Sequence, residues 1–422
     1  MKNLLPILAF FHFVFGSIGY AAAINTKELT GYFGPKTGIV HPFIGLTGFY
    51  TDNVYNRHEK TSDAFGAIIS PGIWISFPHL KEPLIRIKSS AMTPGGVSLK
   101  RIDKKHFKRF QGFFSYRANI WRYDGESRAD KTEHFLTGAM QYNMPFGLST
   151  EVLGAYIKAH DEWGETLRKN LSPYDSVYGG VRFLYDLSKR IDLRLDVRYY
   201  DLDYEERIDD YRDRSDFIVS PYFYYKIFPK TSVFVQYKYM DISYDKNRVY
   251  DSAEHHFYAG VKWKVSKKTK GELKGGYAIK DYTNASVDRA SYFVVKGSGD
   301  YRFNQKIWLN FALSRQSEET PVYGYKNVVT NQINMKINYK ITGKTSFHLE
   351  GLYMTESYDA GSGYWYAKDR DDDTYEISPY VLWKYKPWLN VKLGYRYKRR
   401  DSSVAPYDYT TNSFWLTLYF TL

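Results

Sequence analysis

The sequence has no cysteine, and outside its N-terminus it has no apolar run near the roughly 20 residues a membrane helix needs. The first absence excludes a disulfide scaffold and a thiolate metal site. The second excludes a helical membrane bundle. Mean hydropathy is low, at −0.50. Aromatic residues are abundant: 42 Tyr, 27 Phe and 9 Trp make up 18% of the chain, which excludes a disordered protein. The 59 Lys and Arg exceed the 46 Asp and Glu, for a net charge of +13. Charge alone leaves a nucleic-acid binder open. A length of 422 residues suits two or three ordinary domains or one large barrel. Much tyrosine with low hydropathy suits a transmembrane β-barrel, whose apolar residues are spread out one by one.

Residues 1–23 read as a secretory signal peptide. Met1-Lys2-Asn3 is a basic start, Leu4 to Gly19 is apolar, and Ala21-Ala22-Ala23 is a small-residue cleavage site. The mature chain is expected to begin near Ile24, with residues 24–39 as a periplasmic lead-in. Export suits a Gram-negative outer-membrane protein.

From about residue 40 the main signal is period two. In 389–398, Leu389, Val391, Leu393, Tyr395 and Tyr397 alternate with Asn390, Lys392, Gly394, Arg396 and Lys398. The segments 191–200, 332–341 and 413–422 alternate in the same way. Successive strand residues point to opposite faces, so each segment has one apolar and one polar face. A soluble sandwich also alternates, but these strands run to about 10–14 residues where soluble ones average about 5–6. Connections alternate in length too. Short ones such as Pro229-Lys230 and Pro387-Trp388 follow long polar ones near 203–214 and 359–372. Short turns on one side and long loops on the other mark an outer-membrane barrel.

The fold expected is therefore an all-β, antiparallel, up-and-down transmembrane barrel over residues 40–422. It should have about 18 strands, with 16 as the fallback. Strand 40–52 should pair with strand 411–422 to close it. Ser70-Pro71, Ser220-Pro221 and Ser378-Pro379 recur in three strands running toward the periplasm, and each is expected to mark a bulge or bend. Residues 79–110 interrupt the pattern with a basic insertion: nine Lys and Arg, from Lys81 to Arg109, face only Glu82 and Asp103. It lies on the periplasmic side, where turns are normally short. It reads as a basic extension, or as a piece that folds into the lumen or docks a periplasmic partner.

Pro42-Phe43-Ile44-Gly45-Leu46, Tyr50-Thr51-Asp52-Asn53-Val54-Tyr55 and Ser70-Pro71-Gly72-Ile73 resemble the outer-membrane β-barrel porins often encoded with bacterial exopolysaccharide genes. The resemblance implies an outer-membrane location and a role in polysaccharide passage or assembly. It supplies no catalytic residues.

Enzyme and metal chemistry find little support in the residues. His255 and His256 point to opposite faces of a strand and cannot easily share an ion. His348 and Glu350 share a face, where a simple lumenal hydrogen bond is the expected role. Asp369, Asp371, Asp372 and Asp373 crowd a long loop but lack the glycine and terminal glutamate of a calcium-binding loop. No catalytic residue, metal or cofactor is expected.

The polar face is more informative. With apolar alternates toward lipid, Arg182, Arg194, Arg198, Lys238, Lys262, Lys274, Lys336, Lys392 and Arg396 point inward as candidate pore-lining residues. Lys264, Lys280 and Lys296 share that parity, and Asp192, Asp196 and Glu350 are possible partners. Rings of Lys and Arg select anions. Tyr222, Tyr224, Tyr258 and Tyr380 offer flat faces to sugar rings. The function expected is a porin-like channel, not an enzyme, for an anionic or polysaccharide solute. The alternative is a structural or partner-docking barrel of an exopolysaccharide or envelope secretion machine. Outer-membrane lipid, lipopolysaccharide and periplasmic export components are the expected partners, and nucleic acid is not.

Overall fold

The computed structural model describes residues 39–77, 85–101, 109–167, 170–264, 266, 268–360 and 369–421. The expected signal peptide, and all of the lead-in but its last residue, lie outside the described residues. In chain order the strands are β1 (Val40–Thr51), β2 (Ala64–Phe77), β3 (Ile85–Ser89), β4 (Val97–Arg101), β5 (Phe110–Tyr123), β6 (Lys131–Asn143), β7 (Leu148–His160), β8 (Pro173–Asp186), β9 (Ile191–Tyr204) and β10 (Arg214–Phe228). They continue with β11 (Thr231–Tyr244), β12 (Ser252–Trp263), β13 (Thr269–Tyr282), β14 (Ala290–Arg302), β15 (Ile307–Glu318), β16 (Tyr325–Lys340), β17 (Thr345–Ala360), β18 (Arg370–Lys386), β19 (Leu389–Ser402) and β20 (Tyr409–Thr421).

All but β3 and β4 form one 18-stranded antiparallel sheet. It closes as the sequence predicts: β1 pairs with β20 from Phe43 opposite Thr421 to Thr51 opposite Ser413. Closure leaves no unpaired edge to face lipid. Inside the seam, the Thr47 and Thr417 hydroxyls bond at 2.8 Å. β2 pairs directly with β5, so the barrel wall needs nothing from the segment between them.

The three prolines do not make bulges. Each removes a ladder donor, and pairing lapses for two residues on one side of the strand. It then resumes in the same register: Ile69–Ile120 is followed by Gly72–Arg117, Val219–Tyr239 by Tyr222–Gln236, and Ile377–Tyr397 by Tyr380–Gly394. Register shifts occur elsewhere, at Lys226/Phe228, Tyr325/Asn327 and Lys384/Lys386.

Four of the long loops are tied down by one device. Each ends in a short 3-10 turn: Ser127–Ala129, Asp210–Arg212, Arg248–Tyr250 and Ala405–Tyr407. The aspartate that follows accepts the backbone N–H of a residue in the preceding strand. The pairs are Tyr123 N to Asp130, Tyr204 N to Asp213, Tyr244 N to Asp251 and Ser402 N to Asp408. These carboxylates satisfy donors where the ladder runs out.

The outward face is apolar through a band that begins at the short turns. In β19 it runs from Leu389 to Tyr397, and outward charge starts only at Arg399 and Asp401. Leu393, in mid-band, is 59% exposed to the surroundings. Replacing Leu393 with Arg should therefore cost about 2–4 kcal/mol, the range for a cation near the bilayer midplane. The neighbouring Lys392→Leu change, on the inner face, should cost far less. Folding titrations of the two variants in lipid vesicles would show equal losses if the faces were reversed.

Candidate functional site: the barrel lumen

The nine expected basic residues all lie on inward positions, alternating with the outward band. Three of them converge on one carboxylate. Arg182 meets Asp196 through Nε at 2.6 Å and Nη2 at 2.8 Å. Arg194 Nε donates to the same group at 2.8 Å, and Arg198 Nη2 also at 2.8 Å. Asp196 is 1% exposed. Glu151 stands opposite Arg182 on the same inner face, so two carboxylates meet three guanidiniums and the local excess is one positive charge. Strand pitch explains the convergence: residues 194, 196 and 198 share a face of β9, and the ladder sets Arg182 directly opposite Asp196.

Aromatic rings back these cations. The Arg194 guanidinium lies 4.2 Å from the Tyr222 ring centre, and Tyr222 stacks on Tyr224 at 5.8 Å. Along the same wall, Lys274 Nζ sits 4.2 Å over Tyr258 and donates to Gln236 at 2.7 Å. Lys238 stands opposite His256, and Lys262 opposite Glu272 near the end of β12. A second group forms around Tyr380. Lys336 bonds Glu350 at 2.6 Å as well as the Tyr380 hydroxyl. Lys392 lies 4.1 Å over Tyr380 and 4.5 Å over Trp415. Arg396 faces Glu376 at 3.5 Å. Lys336 and Lys392 keep part of their surface exposed, so contacts of this kind are each worth about 0.5–1 kcal/mol.

Several expectations are corrected. Lys280 does not add to a basic lumen, because it is buried between Glu254 at 3.1 Å and Glu319 at 2.5 Å. Lys264 lies past the end of β12, in a turn. Asp192 pairs with Lys226 rather than with the arginines. His348 does make simple lumenal hydrogen bonds, to Asn338 and Ser346. Asp371, Asp372 and Asp373 are strand residues of β18, and Asp372 faces inward to hold Arg370. His255 and His256 do diverge: His255 meets Tyr237, and His256 meets Glu254.

The outer half of the lumen carries matched charge. Arg400 meets Glu165 at 2.7 Å and Lys398 meets Glu162 at 3.0 Å. Both acids lie in the 161–167 stretch after β7, which crosses the mouth to reach β19. The loop after β15 also turns inward, with Glu319 accepting from Tyr244 and Lys280, and Pro321 O from Tyr211. These contacts join residues far apart in sequence, so no local pattern announces them.

The insertion folds into the lumen. β3 and β4 form a hairpin, pairing Ile85 with Arg101 through Ser89 with Val97. Its limbs leave and rejoin the wall at Phe77 and Phe110, on the short-turn side. Its tip, 90–96, reaches the opposite end. Gly95 N–H donates to Asp216 at 2.6 Å, the Thr93 hydroxyl to Glu318 at 3.0 Å, and Glu319 N–H to the Met92 carbonyl at 2.8 Å. Asp216 begins β10 and Glu318 ends β15, both beside long loops. Ala91 packs into an apolar cluster of the inner wall that includes Leu153, Ala155, Ile157 and Tyr200. Met92 packs against the Tyr325, Val328 and Tyr358 group.

A family model described as Putative beta-barrel porin 2 matches residues 107–421, well over half of the chain. No curated protein matches. Among solved structures the chain is similar to Pseudomonas aeruginosa OccK3 (OpdO), at 12% identity over 91% of this chain and 95% of that one, with a TM-score of 0.45. It is also similar to OpdQ of the same organism, at 10% identity over 92% of this chain and 99% of that one, with a TM-score of 0.47. The strand count and closure come from this chain's own ladder.

Proposed function

We propose a solute class for this channel on the premise that the chain belongs to the beta-barrel porin family whose model it matches, and is thus a porin-like outer-membrane channel rather than an enzyme: the lumen passes anionic sugars or an acidic polysaccharide. The observation that carries this reading is the group of three guanidiniums on Asp196, set beside the stacked Tyr222 and Tyr224. A surplus of fixed positive charge in a narrow, low-dielectric passage concentrates anions. Flat aromatic faces beside the cations suit the C–H faces of sugar rings. Lys336 and Lys392 around Tyr380 repeat that pairing of cation and ring on the far wall. Arg182, Arg194, Arg198, Lys238, Lys262, Lys274, Lys336, Lys392 and Arg396 are the proposed lining, and most lie in the half of the lumen nearer the short turns.

In this reading the barrel sits in outer-membrane lipid and lipopolysaccharide, with exopolysaccharide export components on its periplasmic side. The second reading, a structural or docking barrel with a closed lumen, is favoured by one observation, the hairpin lying inside. Swelling of liposomes that contain the protein tests the solute class. Glucuronate should enter severalfold faster than neutral glucose at low salt. The margin should shrink in 1 M salt, where the screening length falls to about 3 Å. Equal rates at low salt, or faster entry of glucosamine, would contradict the proposal.

A further inference from the structure

The hairpin is built into the lumen without being built into the wall. Among the described residues, β3 and β4 pair only with each other. An isolated two-stranded hairpin is marginally stable in water, so contacts at its tip help to fix its position. Among the described residues, the tip is held by the bonds from Gly95 to Asp216, from Thr93 to Glu318 and from Glu319 to Met92, with Ala91 and Met92 in apolar contact. The tip depends on its glycines. Gly95 and Gly96 have φ of 79° and 63°, and a Cβ on Gly96 would lie 1.8 Å from the Tyr200 ring. Asp216 and Glu318 stand on strands with four others between them, so the tip bridges the passage instead of lining one side.

The tip is also tied to the outer mouth. Glu319 gives its backbone N–H to Met92, while its carboxylate accepts from Tyr244 and Lys280. Two residues on, the Pro321 carbonyl accepts from Tyr211 in the loop after β9. Moving the tip therefore unloads the loop that narrows the mouth. Because β2 and β5 pair directly, the hairpin can leave without opening the wall.

We propose that hairpin β3–β4 is a gate, latched at its tip to Asp216 and the β15–β16 loop, and that its release opens the lumen and the outer mouth together. This rests on the channel reading but not on the charge of the solute. Current magnitude tests the gate, whereas selectivity tests the solute class.

The test is planar-bilayer conductance of the full chain. The sequence has no cysteine, so Thr93→Cys with Glu318→Cys provides the only two thiols. Joined by a disulfide or a short bifunctional thiosulfonate, they should hold the channel in its low-conductance state, and reduction should restore the unlinked behaviour. Gly96→Trp, and replacement of 85–101 by a short Gly-Ser linker, should each give persistently open channels with severalfold higher current. Heat-modifiable gel mobility confirms that each variant is a folded barrel. Failure of the thiols to link, equal current before and after reduction, or a linker variant no more conductive than the native chain would overturn the gate. Silence of every folded variant would remove the channel reading with it.

Discussion

Removal of residues 409–421 should leave no folded barrel at all. This segment is β20, and it pairs along its length with β1 on one side and β19 on the other. Without it, two strand edges would face hydrocarbon with their N–H and C=O groups unpaired. Each such group costs several kcal/mol in lipid, because no water is present to replace the lost bond. A dozen of them exceed the roughly 5–15 kcal/mol by which proteins are stable. The β19 and β1 edges cannot simply join, since their short and long connections fix which way each strand runs. The truncated chain should show neither heat-modifiable mobility nor protease resistance after refolding in lipid. A resistant, heat-modifiable species would mean that closure is not what holds this barrel together.

The second large effect is expected at Asp196. Replacing it with Leu leaves Arg182, Arg194 and Arg198 facing one another without the acid they share, and only Glu151, opposite Arg182, remains to offset them, in a site where Asp196 is 1% exposed. Breaking a buried ion pair from one side costs about 3–5 kcal/mol, chiefly from the charges left uncompensated. Arg198→Leu should cost much less, because it removes one of three like charges and leaves two guanidiniums on the carboxylate. Urea titration in vesicles separates the two. A smaller loss for Asp196→Leu than for Arg198→Leu would mean that the arginines are hydrated independently and do not depend on the acid.

The wall was legible in the sequence because lipid imposes a strict rule. Every second residue must be apolar over a long strand, and segments such as 389–398 obey it visibly. Parity then placed Arg194, Asp196 and Arg198 on one inner face. What a single strand cannot show is who stands opposite. Arg182 joins the group only through the β8–β9 register. Parity presents Lys280 as a lumenal cation, but it is neutralised by Glu319, 39 residues away in a loop that turns inward. The prolines suggest a bulge or bend at each site, yet the ladder tolerates a lost donor without slipping in register. The insertion betrayed itself by its length on the short-turn side, but the landing place of its tip depends on a bond from Gly95 to Asp216 across 121 residues. One local pattern repeats at the loop ends. Ser127-Arg128-Ala129-Asp130, Asp210-Tyr211-Arg212-Asp213, Arg248-Val249-Tyr250-Asp251 and Ala405-Pro406-Tyr407-Asp408 each end a long loop on an aspartate that bonds back to the preceding strand.

The central claim is a lumen whose fixed charge favours anions, and the reversal potential across a planar bilayer under a potassium chloride gradient tests it most directly. Both the full chain and the form lacking 85–101 should reverse on the chloride side, more strongly at 0.1 M salt, where the screening length is about 10 Å, than at 1 M. Reversal on the potassium side in both forms would contradict the account.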